Sequence, residues 1–179
     1  MAAQPVSVTI AENPAATDNP ILDFFLTYWA AKRGTRAMPS RADIAPADLK
    51  EHLGWLCFLD VLPEREDFRF RLIGSRVADY FLADATGHTV REAYGAAKAG
   101  SIATDSVLWI LRKTCASRTP LRVTGGGGEW RGHYFPDYDA LYLPLSENGA
   151  TANMVMCIFT FHYQAYLKTR SLSAMTKRG

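Results

Sequence analysis

The chain has little of what most chemistry-specific motifs require. Its three cysteines, Cys57, Cys115 and Cys157, form no Cys-x-x-Cys pair. That argues against a zinc ribbon or a thioredoxin-like redox motif. Two of them fall in strongly apolar, strand-like runs, where cysteine behaves as a small hydrophobe. Neither sign of charge dominates: 20 basic and 18 acidic residues leave a net charge of +2, so no nucleic-acid footprint is implied. The basic stretch Met175–Gly179 is too short for a binding arm and reads as a solvated terminus. The longest apolar run, Met154–Phe161, is far too short to span a bilayer. Met1–Asn19 has neither a basic segment nor a long apolar one, so no leader peptide is read there. These absences together predict a reduced, cytoplasmic, soluble protein without disulfides.

What is present is ordinary globular material. A chain of 179 residues with 48% hydrophobic content fits one domain with flanking segments. Residues 1–18 are small, polar and proline-containing, and are expected to be poorly ordered. Asn19-Pro20 is a helix start, with asparagine as cap and proline at the first helical position. The helix runs to Lys32-Arg33, where Gly34 ends it. Ile21, Phe24, Phe25, Tyr28 and Trp29 share one side. That stripe is too aromatic to face water, so it must cover a sheet or a second subunit.

After a connector, Pro46 opens a short helix through Leu53, closed by Gly54. Trp55–Leu62 reads as a first strand, apolar on both faces apart from Asp60, hence central and covered twice. Phe68–Ile73 reads as a second, with Phe68, Phe70 and Leu72 alternating against Arg69 and Arg71, a half-buried edge. The two arginines suit either an acidic partner or protection of that edge. Short helices follow at Val77–Leu82 and Val90–Tyr94, then a longer one over Lys98–Ser117. The centre of the long helix, Val107–Leu111, is apolar around most of its circumference and is expected to touch more than the sheet. Strands three, four and five are read at Pro120–Thr124, Tyr138–Leu145 and Asn153–Tyr163, with an Asn148-Gly149 turn before the last. The predicted class is α+β: a five-stranded antiparallel sheet of order 2-1-5-4-3, with strands two and three at its edges, helical connectors on one face and an N-terminal helix. The expected division is a tail at 1–18, a helical segment at 19–54, a main domain at 55–167 and a tail at 168–179.

Candidate chemistry is thin. His133, Asp137 and Asp139, with Glu129 nearby, are metal-capable types, but Gly132 and Pro136 put them in a polar hairpin loop. Gly125–Gly128 is followed by no Gly-Lys-Ser/Thr and no helix start, so it reads as a flexible hairpin and not a phosphate cradle. A Cys-His-Asp hydrolase finds all three residue types, but a thiol in apolar surroundings is inert.

The element order, the connector Pro39–Pro46, the strand Phe68–Val77 and the turn Asp84-Ala85-Thr86-Gly87 resemble the PAS domain, in particular its bacterial subfamily of short, stand-alone proteins. That subfamily carries a Tyr-Trp pair on an N-terminal helix, here Tyr28-Trp29. The chain departs from it at Leu82–Ala85, where related sequences show a Gly-Arg-Asp-like turn. The resemblance implies a sensor or adaptor, not an enzyme. Haem is not expected, because haem-binding relatives place a histidine on or just before the long helix, which here has none; His88 lies earlier. Flavin photochemistry is not expected either, since no cysteine lies in a helical polar motif.

The resemblance implies a cavity between sheet and helices, walled by Phe70, Tyr80, Phe81, Trp109, Arg112, Tyr142, Cys157 and Phe159, that takes a small apolar or amphipathic molecule. The output then passes to a signalling protein partner, and the helix bearing Ile21, Phe24, Phe25, Tyr28 and Trp29 serves as partner or homodimer surface. The rival readings are a ligand-free dimeric interaction module and a small enzyme, the latter needing titratable groups that converge in a pocket.

Overall fold

In the computed structural model, residues 8–81, 84–95, 102–125, 128–130, 133–135 and 137–162 are described. Strand β1 (Val8–Glu12) leads to helix α1 (Pro20–Arg33) and a short helix α2 (Pro46–Leu49). Strands β2 (Leu56–Val61) and β3 (Phe68–Ile73) form a hairpin, followed by helices α3 (Ser75–Phe81), α4 (Val90–Gly95) and α5 (Ile102–Ser117). Strand β4 (Leu121–Gly125), a small ribbon of β5 (Gly128–Trp130) and β6 (His133–Phe135), and strands β7 (Tyr138–Leu145) and β8 (Met154–Phe161) complete the chain. Residues 168–179 lie outside the described residues, as do residues 98–101 at the expected start of the long helix.

The sheet is antiparallel with order β1-β4-β7-β8-β2-β3. Five of its strands follow the expected order, with the first and last expected strands, β2 and β8, adjacent at the centre. The sixth corrects two expectations. Val8–Glu12 is not a disordered tail but pairs along its length with Leu121–Gly125. Strand β4 is therefore not an edge; β1 takes the free backbone groups that an edge leaves open. The alternation Val8, Ile10 against Thr9 is too short and too polar to announce a strand alone, and it is fixed by its partner.

Helix α1 forms where its caps dictate. The Asn19 side chain accepts from the backbone N–H groups of Ile21 and Leu22 at 3.1 and 3.4 Å, and Asp23 in the first turn accepts from the Thr17 N–H and hydroxyl. At the far end Gly34 adopts φ +56°, and Arg36 donates to the Lys32 and Arg33 carbonyls.

Strand register sorts the core into two layers. Leu141, Leu143, Met156, Ile158, Leu56 and Phe58 fall on one face of the sheet, the side on which Asn19 of α1 bonds Thr160. There Leu22, Phe25, Leu26 and Trp29 of α1 are buried, each such side chain contributing about 1.5–3 kcal/mol by removal from water. Helices α4 and α5 cover the other face. The largely apolar β2 and β8, broken only by Asp60 and Thr160, are thus explained by cover on both sides.

Gly74 ends β3 for a packing reason. Its N–H donates to the Leu56 carbonyl at 2.7 Å. A Cβ there would overlap the Leu53 carbonyl oxygen and stand 2.5 Å from that of Gly54. Only glycine lets the start of α3 dock on the turn at Leu53–Trp55.

Candidate functional site

The face under α4 and α5 is built from residues that register brings together. Tyr138, Tyr142, Cys157, Phe159 and Phe161 alternate onto it from β7 and β8, and Cys57 and Phe70 join from β2 and β3. The rings interlock. Tyr142 meets Phe159 edge to face with centroids 5.9 Å apart, Tyr138 and Phe161 flank Phe159 at 6.4 and 6.3 Å, and Trp55 closes the row 6.2 Å from Phe161. The Arg76 guanidinium covers the outer side of Trp55 at 4.6 Å. Tyr138 lies against Gly125, where a Cβ would overlap its ring.

The polar groups on this face are phenols and thiols. Cys57 and Cys157 are directly opposed across β2 and β8, and Cys115 enters from α5; all three are buried. Burial pushes the Cys115 thiol up to about 11 and holds Cys57 and Cys157 far above the ordinary thiol range. Burial likewise raises the hydroxyls of Tyr94, Tyr138 and Tyr142. Tyr94 of α4 is partly buried and packs against the core, and its hydroxyl is raised chiefly by burial, with smaller contributions from Cys57, Tyr138 and Cys157. These groups are neutral near pH 7. They can donate hydrogen bonds in a low-dielectric setting, but protonated thiols are poor nucleophiles.

Of the expected wall residues, Phe70, Tyr142, Cys157 and Phe159 share this face and are buried. The side chains of Tyr80 and Phe81 lie outside the described residues. Trp109 and Arg112 need correction. Thr104, Leu108, Leu111 and Cys115 form the inward stripe of α5. Trp109 lies off that stripe and is 52% exposed, with the Lys113 ammonium 5.6 Å from its ring centre. Arg112 also points outward, donating to the Arg65 and Glu66 carbonyls at 2.9 and 2.8 Å, so it clamps the β2–β3 connection. Sequence reasoning missed Cys57, Tyr94 and Cys115; pairing the two apolar strands residue by residue would have set Cys57 opposite Cys157.

The aromatic stripe of α1 divides. Phe25 and Trp29 are buried against the sheet, with the Trp29 indole N–H donating to the Pro144 carbonyl at 2.9 Å, so neither is a partner surface. Ile21 is partly buried. Phe24 stays 38% exposed and stacks on Tyr28, whose hydroxyl donates to Asp48 and accepts from the Ala45 N–H. Of the metal-capable loop types, Asp139 is buried in a two-pronged pair with Arg122 at 3.0 and 2.8 Å. Arg71 reaches Asp60 across a bulge in the β2–β3 ladder. No helix among the described residues is long and apolar enough to cross a membrane.

No curated protein and no solved structure gives a match to the chain. The profile of the PAS domain family matches residues 18–159, a span that takes in α1 to α5 and every strand of the main sheet except β1, with β8 nearly complete. By that match and by the sheet order, the chain belongs to the PAS domain family, whose members are signal-sensing modules acting through ligand and protein contacts.

Proposed function

We propose that this PAS domain receives its signal on the inner face of the sheet, as a small uncharged or amphipathic molecule held beneath α4 and α5, and relays it to a protein partner without catalysing a reaction. The observation that carries the proposal is the collection of neutral phenols and thiols, Tyr94, Tyr142, Cys57 and Cys157, on an otherwise apolar face covered by separate helices. Such a lining suits a ligand with an apolar body and one or two neutral polar groups. Occupancy shifts α4 and α5, and Trp109 on the outer side of α5 reports that shift to a partner. The proposal assigns no resident haem or flavin: no histidine lies on α5, and the raised thiols are unsuited to forming a flavin adduct.

A thermal-shift screen of small neutral amphiphiles tests this. A ligand at a hundred times its Kd adds about 2.7 kcal/mol, which raises Tm by roughly 5–10 °C in a chain of this size. Tyr142→Phe should abolish the shift for a ligand bonded to that hydroxyl. Stabilisers that act equally on the variant would contradict the inner-face site.

A second reading rests on Phe24. Its exposed ring, stacked on Tyr28 and 5.0 Å from the His52 ring, supports a homodimer through the outer side of α1. Concentration-dependent mass by light scattering, lost in Phe24→Ala, is the expected result; a wild-type monomer at all concentrations removes this reading.

A further inference from the structure

A groove lies away from the inner face, against the carboxyl-terminal half of α1. Open to solvent on one side, it offers about 730 Å³ between that helix, the segment Asn13–Ala15 after β1, and the connection Ser117–Pro120 from α5 to β4. Its size is that of a site for a small organic ligand. Leu26, Trp29, Ala30 and Pro120 supply an apolar lining, and its charged residues are Arg33 and Arg118, with no acidic residue among them.

Both arginines lack a carboxylate partner among the described residues. Arg33 is poorly satisfied where it stands. Its guanidinium carbon lies 5.6 Å from the Trp29 ring centre, one terminal nitrogen makes only a 3.4 Å bond to the Arg36 carbonyl, and its Nε is buried with no acceptor. A buried cationic donor without an acceptor is unfavourable, and the guanidinium fork matches a carboxylate. Arg118 follows α5 with φ +56°, its N–H bonded to the Thr114 carbonyl at 3.1 Å. Glycine fits that left-handed position with least strain, yet an arginine occupies it and borders the groove. The negative end of the α1 dipole faces this groove and disfavours an anion, but the Arg36 guanidinium bonds the Lys32 and Arg33 carbonyls and offsets it.

We propose that this groove binds an amphipathic organic carboxylate, its apolar body against Leu26, Trp29 and Ala30 and its head held by Arg33 and Arg118. The site is separate from the inner face and stands whether or not that face takes a ligand.

The test uses the full chain labelled with 15N-tryptophan, titrated with octanoate and, separately, with octanol. The assigned Trp29 indole resonance should move saturably with octanoate, and octanol should bind at least tenfold more weakly. Arg118→Gly, which suits the left-handed backbone, and Arg33→Gln should each weaken octanoate at least tenfold while leaving the unliganded spectrum folded. Equal affinity for the two probes, unchanged titration of both variants, or no saturable movement of Trp29 would each overturn the proposal.

Discussion

Gly74 at the end of β3 lies directly against the Leu53 carbonyl, so closely that a side-chain carbon would overlap its oxygen. That contact seats the start of α3, and with it one end of the helical cover, on the sheet. Gly74→Ala is expected to destabilise the protein by about 2–3 kcal/mol, the cost of overpacking against backbone that cannot rotate away. Urea unfolding measures it; a loss below about 0.5 kcal/mol would show that the junction yields.

The buried thiols give a pH prediction with a definite sign. Burial holds Cys57, Cys115 and Cys157 protonated in the folded chain above their ordinary value of 9.0. Their contribution is therefore intact below pH 9, where neither state ionises, and is lost as pH rises and only the unfolded thiols ionise. For Cys115 the loss runs up to about pH 11. Each affected group removes about 1.4 kcal/mol per pH unit in that window. Stability should be flat from pH 7 to 8.5 and fall steeply above 9. Aromatic disulfide reagents should label the thiols only at the rate of opening.

Strand β1 closes the β4 edge, which predicts the effect of its removal. Deleting residues 1–12 leaves the backbone groups of Leu121–Gly125 unpaired. The truncated chain should unfold at lower denaturant and self-associate through the bared edge. Size-exclusion chromatography reads the second effect; a truncated chain as stable and as dispersed as the full one would assign β1 no structural role.

Trp109 separates packing from signalling. Exposed on α5 with the Lys113 ammonium over its ring, it should tolerate Trp109→Ala at a cost below about 1 kcal/mol. Tyr142→Phe should change ligand affinity, whereas Trp109→Ala should change partner binding alone. Loss of the ligand response in Trp109→Ala would return this residue to the cavity wall.

Much of this fold is legible in the sequence because local signals agree with the global arrangement. Asn19-Pro20 and Gly34 mark the ends of α1 by their own chemistry. The alternation Phe68, Phe70 against Arg69, Arg71 survives as a buried-exposed pattern in β3. What sequence could not supply was pairing. β1 exists because β4 offers it an edge, and the sixth strand is invisible until that edge is placed. Trp109 misled because an apolar helix centre looks buried all round, whereas the inward stripe through Leu108 and Leu111 leaves one large ring outside. Phe25 and Trp29 share one side of α1 by periodicity, but whether sheet or partner covers that stripe depends on contacts no periodicity records. Cys57 and Tyr94 were missed because their meeting with Cys157 and Tyr142 is a matter of register and helix docking.

The most direct test of the central claim is native mass spectrometry of the purified full chain, followed by denaturation and analysis of what it releases. A stoichiometric small molecule, uncharged or amphipathic, should leave on denaturation and be carried at lower occupancy by Tyr142→Phe. A bare polypeptide mass, as monomer or dimer, with no small molecule that binds the inner face when added back, would contradict the claim.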